Sequence, residues 1–140
     1  MTKEVEVIIS GIQKYTDHED DDLKTRAQGE YYYRNGAHYV LYEEMMEGFT
    51  QPTKSMLKIK DGCLEMTRKG LINTTMTFDK SKETSARYQT PFGQMNLLIR
   101  TKGFFLSEAE DQICVEVDYA LEAEGAPMAD CRIRIRVKER

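Results

Sequence analysis

The sequence predicts an all-β chain folded as an antiparallel, up-and-down barrel of about ten strands. Three observations carry that expectation. Apolar residues recur at a spacing of two along much of the chain, as in Val5, Val7, Ile9 and again in Ile113, Val115, Val117, Tyr119, Leu121. That period puts them on one face of an extended strand. The alternating runs are separated by short turn sequences, Asn35-Gly36 and Asp61-Gly62 above all, whose residues tolerate the positive φ of two-residue hairpin loops. No segment has a convincing helical period; residues 106–112, L-S-E-A-E-D-Q, have room for one helical turn at most. Between a barrel and a two-sheet sandwich, long strands in simple sequence order favour the barrel, because closure removes exposed edges.

The elements follow in order. Lys3 to Thr16 is a strand, with Gly11 marking a bend or bulge. Asp17 to Asp22, D-H-E-D-D-D, is a solvated loop: its carboxylates are hard oxygen ligands, but the run lacks the spacing and glycine of a calcium loop. Thr25 to Arg34 and Ala37 to Glu47 flank Asn35-Gly36, which sets Tyr32 opposite Tyr39 and Tyr31 opposite Val40. Thr53 to Lys60 and Cys63 to Lys69 flank Asp61-Gly62. That register sets Ile59 opposite Leu64, Leu57 opposite Met66, and Lys58 opposite Glu65, so pattern and turn chemistry agree. Asn73 to Asp79 is a short strand, and Thr84 to Thr90 opens a hairpin at Pro91-Phe92-Gly93. Here two registers compete: a three-residue loop pairs Thr90 with Gln94, a two-residue loop pairs Thr90 with Gly93. The last hairpin, folded about Ala126, pairs Val117 with Ile135, Val115 with Val137, Glu116 with Arg136 and Asp118 with Arg134. Those acids account for the R-I-R-I-R tail without a ligand.

Composition excludes several classes of function. The 140 residues suit one domain, 1–140, with one core. No apolar run is long enough to span a bilayer as a helix, so no membrane partner is expected. A net charge of −4 argues against nucleic acid, whose phosphates require a basic surface. Met1 to Glu6 lacks the basic and apolar stretches of a secretion signal, and Cys63, Cys114 and Cys131 are far apart and odd in number. A cytoplasmic protein with reduced thiols is the expectation. His18 and His38 with these cysteines make no zinc spacing, and there is no phosphate loop or nucleophile elbow. Neither a metal nor a cofactor is called for; on fold analogy alone a single-histidine haem site at His38 stays open. The eight methionines read as core filler, with Met45-Met46 their one cluster.

The run Tyr42-Glu43-Glu44, Leu57-Lys58-Ile59, Arg68-Lys69-Gly70, Met76-Thr77-Phe78, Tyr88-Gln89-Thr90-Pro91-Phe92-Gly93 and Arg100-Thr101 resembles the small bacterial family typified by YwiB. The resemblance spans nearly the whole chain. It implies a calycin-like, lipocalin-like β-barrel and a family with no established activity, so it assigns no functional residues.

The candidate site comes from the residues themselves. Arg68 follows Leu64 and Met66 at a spacing of two and so points to their apolar face. A guanidinium there must be paired or solvated. Glu44 shares a face with Val40 and Tyr42 and is the candidate partner; Tyr42, Tyr88 and Thr90 add hydroxyls. Arg68, Glu44, Tyr42, Tyr88 and Thr90 inside a barrel would bind a small carboxylate or apolar ligand. Three functions compete: a small-molecule binding barrel; a protein-interaction or homodimer module using Tyr31-Tyr32-Tyr33; and an enzyme using Tyr42, Glu44, Arg68 and Tyr88 for acid–base chemistry on a carboxylate. The structural alternative is that Arg68 and Glu44 merely plug the interior, or that Arg68 snorkels to water.

Overall fold

A computed structural model describes residues 1–15, 21–45, 48 and 50–140, with backbone alone at 13, 15 and 21–23. Of the expected loop Asp17 to Asp22, residues 17–20 lie outside the described residues, as does Met46, whereas Asp21 and Asp22 are strand residues paired with Gln13 and Ile12. The described residues form ten strands: β1 (Glu4–Tyr15), β2 (Asp21–Arg34), β3 (Ala37–Met45), β4 (Pro52–Lys60), β5 (Cys63–Lys69), β6 (Thr74–Asp79), β7 (Thr84–Thr90), β8 (Gly93–Glu108), β9 (Gln112–Ala123) and β10 (Ala126–Glu139). All belong to one antiparallel sheet, in the order β6-β5-β4-β3-β2-β1-β10-β9-β8-β7. Each strand pairs with its neighbours in sequence except β6 and β7, the two ends of the sheet, and β1 pairs with β10 from Val5↔Glu139 to Tyr15↔Ala129. The sheet curls until β6 meets β7. There the ring closes through a single bridge, in which Asn73 N–H donates to Gln89 O at 2.9 Å and Gln89 N–H to Asn73 O at 3.0 Å. The Thr84 hydroxyl donates across the same seam to Thr77 O. The result is a nearly closed barrel.

The turns follow local chemistry. Asn35 (φ 53) and Gly36 (φ 78) occupy the left-handed region that a two-residue hairpin loop needs. The registers expected around them are present: Tyr32↔Tyr39, Tyr31↔Val40, Ile59↔Leu64, Leu57↔Met66 and Lys58↔Glu65. The Pro91 hairpin takes the two-residue loop, with Thr90↔Gly93 and Tyr88↔Met95. Thr90 Oγ1 accepts from Phe92 N–H at 3.1 Å, which stabilises the short loop from within. Residues 106–112 hold no helical turn: β8 runs on to Glu108, and Ala109 N–H donates to Gln112 O at 2.9 Å across a tight turn.

The last hairpin departs from the expected register. Glu124 (φ 51) and Gly125 (φ 82) form its loop, not a turn centred on Ala126, and the pairing shifts between Pro127 and Ala129. The pairs are Val117↔Ile133, Val115↔Ile135, Glu116↔Arg134 and Asp118↔Arg132. The error is two residues, so every side chain keeps its face. Acids still meet arginines: Arg132 Nε lies 2.7 Å from Asp118 Oδ1, and Arg134 Nη2 lies 2.9 Å from Glu116 Oε2.

The interior divides along the barrel axis. The end bearing the Asn35-Gly36 and Asp61-Gly62 turns is solid. Val40, Leu57, Ile59, Leu64, Phe78, Ile99, Val115, Val117, Ile135 and Val137 are fully or almost fully buried there. His38 plugs this floor. Its Nε2 lies 2.9 Å from Glu108 Oε2, and its Nδ1 lies 2.7 Å from the Tyr31 hydroxyl. A carboxylate only accepts, so Nε2 donates to Glu108. The opposite half of the interior is hollow.

Candidate functional site

Counting along the hairpin registers leads to a polar row in that hollow half. Tyr42 on β3 pairs with Ser55 on β4; Ser55 pairs with Arg68 on β5; Arg68 pairs with Thr74 on β6. Thr74 and Tyr88 stand beside the Asn73–Gln89 bridge, one on each side of the seam. Four consecutive strands thus carry Tyr42, Ser55, Arg68 and Thr74 in line, with Tyr88 across the seam. One step nearer the open end, Glu44 pairs with Thr53. Gly29 makes room at the start of the row. It pairs with Tyr42, and a Cβ there would come within 2.8 Å of Leu41 O and 3.1 Å of Val7 Cγ2.

Beneath the row lies a cavity of about 330 Å³. Thr25, Arg68, Thr74, Tyr88, Tyr119 and Arg132 are the polar residues of its wall; Ile9, Met66, Met76, Phe78, Met95, Leu97, Leu121, Met128 and Ile133 make the rest of it largely apolar. Four of the methionines read as core filler therefore border space. Tyr119 also packs edge-on against Phe78, with ring centroids 4.6 Å apart.

The electrostatics of the row are unusual. Arg68 Nη2 and Glu44 Oε1 are 3.9 Å apart, an ion pair longer than a hydrogen bond, with side chains 24% and 14% exposed. Among the described residues, the buried side-chain oxygens that make no hydrogen bond of good geometry are Tyr42 Oη, Glu44 Oε1, Thr53 Oγ1, Ser55 Oγ, Thr74 Oγ1 and Thr101 Oγ1, with Tyr42 in looser contact with Ser55 and Glu44. The first five belong to the Arg68 row or the Glu44–Thr53 pair beside it. An unmade hydrogen bond of this kind costs about 1–3 kcal/mol. Burial, followed by the Glu44 charge, pushes the Tyr42 phenol well above its ordinary range, and Arg68 pulls the other way.

Of the residues singled out from the sequence, Arg68 and Tyr88 line the cavity, and Glu44 and Tyr42 stand directly behind Arg68. Thr90 does not join them: its hydroxyl serves its own turn, and it borders a separate surface depression with Pro91 and Gln94. Thr90 therefore stands apart from the cavity wall that Arg68 and Tyr88 share. Ser55, Thr53 and Thr74 were missed. The Asp61-Gly62 register alone sets Ser55 opposite Arg68, so that signal was available. The Tyr31-Tyr32-Tyr33 run does not form one surface patch. Tyr31 is bound to His38, Tyr32 donates to Glu30 Oε2 at 2.7 Å, and Tyr33 packs on the His38 ring. Both His38 nitrogens are engaged, which leaves no ring nitrogen for the haem iron considered from the sequence.

Fold and site together define an antiparallel β-barrel with a solid floor and a hollow, polar-rimmed upper half. The chain belongs to the family described as a domain of unknown function (DUF1934), whose family model matches residues 7–135. Among solved structures it is similar to the crystal structure of ywiB protein from Bacillus subtilis. The two share 18% identity, with 99% of this chain and 92% of that chain covered at a TM-score of 0.82; at that identity the likeness speaks for the fold. No curated protein matches the chain.

Proposed function

We infer that the chain is a binding barrel for a small molecule with an apolar body and a carboxylate, acting in the bacterial cytoplasm. The observation that carries this is the place of Arg68. It stands on the wall of a 330 Å³ cavity that is otherwise largely apolar, and among the described residues its ion pair is the 3.9 Å contact with Glu44. Pockets for small ligands are typically apolar with a few convergent polar groups that fix orientation. A guanidinium presents a planar fork of donors to a carboxylate and binds it in bidentate fashion. The acid–base enzyme reading is served less well. Tyr42 is buried behind the wall, and its raised pKa opposes proton transfer near neutral pH.

Native mass spectrometry of freshly purified protein tests the reading, together with titration of octanoate into the wild type and Arg68→Met. Binding is expected in the wild type and its loss in the variant under conditions where the variant remains folded. Equal octanoate affinity in both proteins would refute the role given to Arg68.

A further inference from the structure

The apolar part of the cavity wall carries the reading one step further, to the chemistry of the ligand's body. This inference rests on the proposed carboxylate site. Of the eight methionines in the chain, Met66, Met76, Met95 and Met128 border this one cavity. They come from β5, β6, β8 and β10, and so from both sides of the β6–β7 seam. Met66 and Met76 are cross-strand partners, and Met95 pairs with Tyr88 on β7. Met128 reaches the wall by a local device. The register of β10 on β9 shifts between Pro127 and Ala129, so Met128 has no partner on β9; it lines the cavity while the next residue, Ala129, is buried as well. An extra residue of that kind re-aims a side chain.

Rings complete that wall. Phe78 and Tyr119 meet edge-on, 4.6 Å between centroids, and both border the cavity, as does Tyr88 beside Met95. A thioether sulfur is polarisable and makes favourable contacts with an aromatic ring that it does not make with an alkyl chain. Ring edges and faces likewise attract a further ring. Methionine is unbranched, with three rotatable bonds, so these side chains can close on the faces of a flat body. The solid floor of the barrel gives a long chain no way through, and a volume of about 330 Å³ receives a compact one. We propose that the ligand's body is aromatic: the site takes a compact aryl carboxylate, with its carboxylate on the Arg68 guanidinium and its ring among the four methionines.

Calorimetric titration of the full chain with naphthalene carboxylate and its fully saturated counterpart, decahydronaphthalene carboxylate, tests this. The two probes share one carbon skeleton and one carboxylate. The saturated probe has at least as much apolar surface, so burial alone predicts that it binds as tightly or more tightly. The expected result is the reverse: the aromatic probe binds about tenfold tighter, the sum of a few sulfur–ring contacts. The triple variant Met76→Leu, Met95→Leu, Met128→Leu keeps the wall apolar and nearly the same in volume. It spares Met66, which is only 6% exposed and packs in the core. That variant is expected to erase the preference while the saturated probe binds as before. If it fails to fold, the ratio of the two probes on the wild type decides alone. Equal affinities, tighter binding of the saturated probe, or binding of octanoate alone overturns the aromatic assignment and leaves the carboxylate site standing. A preference that survives whole in the folded variant overturns the part given to the methionines. Failure of both probes and of octanoate to bind overturns the carboxylate site as well.

Discussion

Arg68 and Glu44 form an ion pair at 3.9 Å although their strands, β5 and β3, do not touch in the sheet; β4 runs between them. The pair therefore spans the concave inner face over Ser55 and Thr53, and it exists only because the sheet curls. Removing one partner strands the other among unsatisfied hydroxyls. Glu44→Gln and Arg68→Met are each expected to destabilise the chain by about 1–3 kcal/mol, and the double variant by less than the sum. Urea unfolding of the four proteins in a double-mutant cycle measures the coupling.

Gly29 is expected to tolerate no side chain. A Cβ there meets backbone oxygen at 2.8 Å, and the strand cannot retreat without moving Tyr42. Gly29→Ala should cost about 1–3 kcal/mol as an overpacking change. Gly36→Ala, where a Cβ would meet open space but φ is +78, isolates backbone strain as the control. Thermal unfolding of both variants separates crowding from strain.

The barrel is expected to lose stability in alkali. Burial pushes the Cys131 thiol up to about 11 from an ordinary 9.0, and burial likewise raises Tyr42 above its ordinary 10.0. In both cases the unfolded chain loses its proton first. The folded state then binds more protons than the unfolded one, so stability falls as pH rises. The Cys131 contribution is complete below pH 9 and lost by about pH 11; that of Tyr42 begins to fall near pH 10. Urea midpoints from pH 7 to 11 check the direction, and Cys131→Ala should flatten the earlier part of the fall.

Hydrogen exchange should find the seam. β6 and β7 meet through one bridge, whereas β9 and β10 share a long ladder. Amides of 74–79 and 84–90 are expected to exchange faster than those of 113–121 and 131–137. Asn73 anchors the seam twice, through the bridge and through its side chain, whose Nδ2 donates to Gly70 O at 2.8 Å. Asn73→Ala should widen the difference. Uniform protection around the ring would contradict a weak seam.

Most of the fold was legible in the residues because hairpins are local. Asn35-Gly36 and Asp61-Gly62 set their own registers, and alternation set the faces. Two hairpins were not settled this way. At Pro91 the choice between two-residue and three-residue loops rests on a hydroxyl contact from Thr90. At the last hairpin, the loop at Glu124-Gly125 requires a non-glycine residue at positive φ, followed by an irregularity before Ala129. Neither leaves a pattern in sequence. Arg68 was found because it breaks an apolar alternation. Ser55 and Thr74 were passed over because small hydroxyl residues are common on strands. Only their alignment across β4, β5 and β6 sets them apart. The hollow half was invisible, since methionines that line space and methionines that fill it alternate in the same way.

The most direct measurement is a crystal structure of the protein grown with an ω-brominated aliphatic carboxylate, located by the anomalous signal of bromine. The expected result is a bromine site among Met66, Met76 and Leu121, with the carboxylate on the Arg68 guanidinium. An interior without ligand at saturating concentration, or a ligand whose carboxylate lies away from Arg68, would contradict the account.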